Sequence, residues 1–347
     1  EIAGLQPEDA FDAYAVIGGL PAFADDWKRA GGFRGFLLSA LSHPDTPFVN
    51  SGVRILDAEF PTEIQPRLVL SAIGHGERTS RTISAATGIP VNNLDRSLKL
   101  LSEAKRVVRV EEPLSAQRLK APRHSVADPY LRFWLRFVEP ALPEIERLRT
   151  ERVVDRIVAS WPAFRGRALE PIVRSALARL LPDPGLPGAD YVGSYWTRTN
   201  DPEVDLIGAD KREAPAKVAF TGSIKWRDKD PFDSSDLERL IATSSQVPGV
   251  GPGTPLVAVS GLPGCSSASS TENDAKSARA PPIARSHGVN VISSRPKTPM
   301  VVCCTRWSAT ASRFFRSCAR KSAFLMMSFR RSLPTVVSKR TCPASCT

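Results

Sequence analysis

Between Ile64 and Val126 the spacing of apolar residues changes period, and that change restricts the fold more than any other feature of the chain. Leu68, Val69, Ala72 and Ile73 recur at helical spacing and stop at Gly74-His75-Gly76. A second short helix is expected from Thr79 or Ser80, either of which can cap it, through Ile83 and Ala86 to the turn Thr87-Gly88-Ile89-Pro90. A third carries Leu94, Leu98 and Leu101 on one face. Val107 to Glu112 (VVRVEE) then alternates and is rich in β-branched residues, and a second strand is expected around Lys120–Val126.

Helix, helix, turn, helix and a two-stranded wing over residues 62–126 is the winged helix-turn-helix arrangement, in which the helix after the turn enters the DNA major groove. From Ile64 to Ser125 there are 11 basic and 5 acidic residues, a local charge of +6 suited to phosphate neutralisation. Arg96 and Lys99 lie off the leucine face of the third helix; with Lys105 and Arg106 they are the expected contacts to duplex DNA. The competing reading is a unit that only packs within a larger protein, its charges solvated, because charge alone carries no sequence readout. His75 and His124 stand alone and read as ordinary surface or core groups.

On the N-terminal side, residues 1–61 read as short helices. Phe11, Tyr14 and Ala15, then Phe36, Leu37 and Leu41, fall at helical spacing, with Gly18-Gly19 and Pro21 as punctuation. Those glycines are no phosphate loop, since G-x-x-x-x-G-K-[ST] occurs nowhere in the chain. In 127–149, Asp128 can cap a helix with Pro129 in its first turn, and Tyr130, Phe133, Trp134 and Phe137 form an aromatic stripe. That stripe reads as a core-packing linker helix. Residues 150–262 read as α-β-β-β-α-β. The helix is Trp161–Leu181, with Phe164, Ala168, Ile172 and Leu177 inward. The strands are Tyr191–Arg198, Glu203–Ala209, Ala216–Trp226 and Pro255–Ser260, with a helix over Ser234–Ser244.

Periodicity stops at Gly264. The last 84 residues hold 14 basic, 2 acidic and 16 serine residues, with all six cysteines and all three methionines of the chain. The rest, 33 basic against 34 acidic, is near neutral, so the overall +11 belongs to the tail. Residues 263–347 read either as a basic nucleic-acid-binding tail or, as favoured by the abrupt shift in usage, as translation in a wrong frame; both imply disorder. The cysteines lack the paired arms of a zinc site. No apolar run approaches the roughly 18 residues of a membrane span. The acidic start lacks a signal peptide, so a cytoplasmic location and no membrane partner are expected. A chain opening on Glu1 rather than Met reads as a fragment.

GGLPAF (Gly18–Phe23), the winged helix, DPYLRFWLRFVEP (Asp128–Pro140), EVDLIG (Glu203–Gly208) and GSIKW (Gly222–Trp226) stand in the order seen in archaeal-type P-loop ATPases. Over about residues 10–262 the chain resembles this AAA-like and STAND-like prokaryotic family. The resemblance implies a multi-domain α/β protein: a helical remnant, a winged helix, and a C-terminal restriction-endonuclease-like, PD-(D/E)XK-type domain. It also implies an ATPase partner or a homo-oligomer. ATP would bind only through a preceding P-loop half, so no cofactor is expected on this chain itself.

A nuclease of that type sets an Asp on one strand and E-x-K on the next, so that carboxylates hold Mg²⁺ while the Lys steadies charge at the phosphate. By the resemblance, Glu170, Asp205 and Lys225 stand at the expected catalytic places, with Asp205 as the strand metal ligand. Ser223 replaces the glutamate of E-x-K, and a neutral hydroxyl supplies no metal-binding charge. The expectation is a DNA-binding, regulatory portion of an ATPase with a degenerate nuclease-like domain. The alternatives are a Mg²⁺-dependent DNA nuclease using Asp205 and Lys225, and an inactive truncated remnant.

Overall fold

The computed structural model describes residues 5, 9–183, 186, 188–227 and 232–260, and the backbone of 7–8, 290–292 and 301–304. The chain opens with helices α1 (Pro7–Ile17), α2 (Ala24–Arg29), α3 (Phe33–Ala40) and α4 (Pro47–Glu59). Phe11, Tyr14, Ala15, Phe36, Leu37 and Leu41, the apolar positions expected inside, are all buried.

Next come α5 (Ile64–His75), α6 (Ser80–Thr87) and α7 (Val91–Lys99), then the antiparallel ribbon of β1 (Val108–Glu111) and β2 (Arg123–Val126). Thr79 caps α6 by accepting the Thr82 N–H at 3.2 Å, as the sequence predicts. The turn from α6 into α7 needs a left-handed residue, and Gly88 supplies it at φ 72°.

Asp128 likewise caps α8 (Pro129–Phe133), its Oδ1 accepting from Leu131 N at 2.8 Å. A π-turn over Trp134–Val138 continues that helix, and α9 (Leu142–Glu146) follows. Tyr130 and Trp134 are fully buried, and each polar tip donates to a carbonyl of α4: Tyr130 Oη to Phe48 at 2.6 Å, Trp134 Nε1 to Val49 at 3.0 Å. The Trp134 ring lies directly on Gly52, where an added Cβ would sit 2.2 Å from it, so only glycine admits the ring. Each such hydrogen bond contributes about 1 kcal/mol, and burial of each ring a further ~2–3 kcal/mol.

Helix α10 (Thr150–Leu180) starts eleven residues before the expected Trp161, and Pro162 and Pro171 lie inside it. A proline suits a first turn, which makes Trp161-Pro162 look like a start. Here Val153, Val154, Ile157 and Trp161 before that point and Ala168 and Leu169 beyond it are buried and hold the helix through it. The first half of α10 completes a core that draws on residues 13 to 168, whereas Val173 and Leu177 in its second half pack on the sheet.

The sheet is mixed and six-stranded: β3 (Tyr191–Trp196), β4 (Glu203–Ala209), β5 (Val218–Lys225), β6 (Leu256–Ser260), then β8 (Val301–Cys304) and β7 (Asn290–Ile292). Neighbours among β3, β4 and β5 are antiparallel; β5, β6 and β8 run parallel, and β7 is antiparallel to β8. Helix α11 (Ser234–Ser244) covers one face, with Thr221 Oγ1 donating to Ser244 Oγ at 2.8 Å. The α-β-β-β-α-β order expected over 150–262 is thus present. Strands β7 and β8 fall in the tail for which disorder was expected, and the remainder of 263–347 lies outside the described residues.

Candidate nucleic-acid interface and the sheet carboxylates

Leu94 and Leu98 of α7, and Leu101 just after it, are buried, which leaves Arg96 and Lys99 exposed on the opposite side. A π-turn over Leu100–Ala104 ends the helix, and exposed Arg106 follows in the left-handed region at φ 55°. Lys105 does not join them. Its Nζ donates to the Glu59 carbonyl, pairs with the Glu59 carboxylate at 3.3 Å and lies 5.3 Å from the Phe60 ring centre. Of the four expected phosphate contacts, Lys105 thus ties α4 to the α7 terminus, while Arg96, Lys99 and Arg106 are exposed.

The loop joining β1 to β2 is docked on the sheet. Leu114 is buried beside Tyr195 and Ile207, and its N–H donates to Ser194 O at 2.9 Å. Ala116 N donates to Pro248 O at 3.0 Å, and Ala216 N to Ser115 O at 3.0 Å. Arg123 of β2 adds a buried link: it pairs with Glu203 at 2.6 Å, donates to Asn200 Oδ1 at 2.6 Å, and stacks 4.4 Å over Trp196.

At the sheet, the expected site residues are placed by a bulge. From Tyr195 to Gly193 strand β3 covers two steps, while β4 covers three from Val204 to Ile207. The extra residue falls around Asp205, and a bulge of this kind re-aims a side chain. Asp205 Oδ2 accepts from the Ile224 N–H at 2.9 Å and from Ser223 Oγ at 3.0 Å. Ser223 thus binds the strand carboxylate rather than supplying a second one. Lys225 is half-buried at the end of β5, and its side chain makes no hydrogen bond or ion pair among the described residues.

Glu170 of α10 comes close enough to feel Asp205. Burial first, then the Asp205 charge, push its carboxyl up to about 7, and Arg174 and Arg78 pull the other way. Arg174 ties the region together: Nη1 lies 3.5 Å from Glu170 Oε2 and 3.3 Å from Asp205 O, and Nη2 lies 3.3 Å from Glu111 Oε2.

These residues offer no preformed cage of protein ligands for a divalent ion. Among the described residues no group of three or more His, Cys, Asp or Glu side chains could hold a metal ion. Asp205 spends one oxygen on two donors, and Glu170 faces an arginine. The sequence offered no sign of Glu111 or Arg174 here, since they converge only through the docking of the ribbon on α10. Among the described residues no helix is long and apolar enough to cross a membrane.

Residues 134–239, which include Glu170, Asp205 and Lys225, match a family described as archaeal and bacterial proteins of unknown function (DUF234). An uncharacterized protein of Methanocaldococcus jannaschii is 23% identical over 244 residues, covering 70% of this chain and 54% of that protein. The chain thus spans about half the length of this relative. No solved structure matches.

Proposed function

We propose that residues 62–126 form a winged helix that binds duplex DNA through the exposed face of α7, within the C-terminal, regulatory portion of a P-loop ATPase. The observation that carries this reading is the split surface of α7, with its leucines inward and Arg96 and Lys99 in solvent, followed by exposed Arg106. Cations placed this way neutralise phosphates and release counterions. The wing does not share the contact: Leu114 and Arg123 commit it to the sheet. The sheet portion is read as a nuclease-type fold that has lost its chemistry and serves as the platform on which the wing rests. ATP binding and an ATPase partner belong to this proposal through the family resemblance alone.

The test is fluorescence anisotropy of the full chain with a labelled duplex across a salt series. Salt-sensitive binding that weakens in Arg96→Ala/Lys99→Ala supports the reading. DNA cleavage in Mg²⁺ or Mn²⁺ that disappears in Asp205→Ala and in Lys225→Ala would instead establish a working nuclease site.

A further inference from the structure

A cavity of about 490 Å³ opens between the end of α5, strand β2, α8 with its π-turn, and the middle of α10. Arg78, Arg132 and Arg174 line it, with Glu111 and Glu170 on the same wall. Arg174 is occupied by both carboxylates. The other two arginines are not. Arg78 is held by its backbone, whose carbonyl accepts from His124 N at 2.7 Å, while its half-buried guanidinium makes no hydrogen bond or ion pair among the described residues. Arg132 donates through Nη2 to Ala168 O at 3.2 Å, but its Nε is buried without any partner. A buried, unsatisfied guanidinium N–H is costly, and a second guanidinium on the same cavity sharpens the question of what completes both.

We propose that this cavity is a binding site for a phosphate-type oxyanion, held by Arg78 and Arg132. Tetrahedral oxyanions present acceptors to two guanidinium forks at once, which no single carboxylate in the cavity does. The acids that face the site are Glu77, Glu111 and Glu170, against Arg78, Arg132, Arg136, Arg167 and Arg174, with His75 and His124 at its edge. Two of those acids are already bonded to Arg174. Glu170, pushed up to about 7, is moreover partly protonated near neutrality and opposes an anion less than an ordinary carboxylate. The site stands apart from the α7 face, and its test does not depend on DNA contact there.

The experiment is titration of the full chain with inorganic phosphate at fixed ionic strength in chloride, followed by calorimetry. Sulfate serves as a second probe because it stays a dianion across the pH range used. Saturable binding is expected, weakened at least about tenfold in Arg78→Gln and unchanged in Arg96→Ala/Lys99→Ala. Arg78→Gln should keep the wild-type melting temperature, since its side chain makes no hydrogen bond; Arg132→Lys, which retains the charge but loses the fork, should weaken binding less. Sulfate should bind several-fold more tightly at pH 6 than at pH 8, as Glu170, which faces Asp205 and Glu203 as well as Arg174 and Arg78, takes up its proton. A short duplex that displaces phosphate marks a backbone phosphodiester as the source of the anion. A duplex that binds without displacing it marks a small phosphorylated molecule. No saturation by about 10 mM phosphate, or Arg78→Gln binding like the wild type, would overturn the proposal.

Discussion

On α7, Arg96 and Lys99 stand in solvent, and neither is bonded to a carboxylate among the described residues. At the sheet, some of the same residue types are bound inward: Arg174 joins Glu111, Glu170 and the Asp205 carbonyl, and Arg123 joins Glu203 and Asn200. The helix face spends its charge on nothing among the described residues. The sheet centre spends its charge on joining the ribbon to α10 and β4. That difference, more than the fold, separates a surface with free charge from a sheet centre whose charges are spent on a structural joint.

Removing a charge should therefore cost stability at the joint and affinity on the helix. The largest effect is expected for Arg174→Met, which leaves Glu170 unpaired and Glu111 with only Arg109 at 4.0 Å in a largely buried place. Urea denaturation near pH 8, where Glu170 is mostly ionised, should show a loss of about 3–4 kcal/mol. A loss below about 0.5 kcal/mol would mean that the joint carries no load and would erase the contrast.

Glu170 gives the next effect. Its folded-state value of about 7 lies above the 4.5 of an ordinary glutamate, so the folded protein holds this proton more tightly than the unfolded chain. The resulting stability is fully present below about pH 4.5, declines as pH rises and is gone above about pH 7, a span of roughly 3 kcal/mol. Glu170→Gln should remove this part of the pH dependence in denaturation curves between pH 5 and pH 8. A pH profile identical in the variant would show the carboxyl to be ordinary.

Smallest is Thr79→Ala at the start of α6, a partly exposed cap on the helix before α7. It should cost about 1 kcal/mol in chemical denaturation. A cost as large as that of Arg174→Met would mean the two regions respond alike to a lost polar contact.

Much of the local structure is legible in the sequence. The caps at Thr79 and Asp128, the leucine face of α7, strand Glu203–Ala209 and helix Ser234–Ser244 all follow from short-range pattern. What was not legible depends on tertiary contact. Pro162 looks like a helix boundary until buried residues on both sides hold α10 through it. Lys105 looks like a surface cation until Glu59 captures it. The bulge that turns Asp205 toward Ile224 comes from a mismatch of register with β3, which neither strand shows alone. Ser223 was visible as a missing carboxylate, but its hydrogen bond to Asp205 was not.

The most direct test of the division between a binding helix and a structural sheet centre is the salt dependence of duplex binding by the wild type and by Arg96→Ala/Lys99→Ala, each with its melting temperature. The expected result is about tenfold weaker binding, a slope of log affinity against log salt shallower by about 2, and stability unchanged within about 0.5 kcal/mol. Duplex binding with the same affinity and slope in both proteins, or no salt-sensitive binding by the wild type, would contradict it.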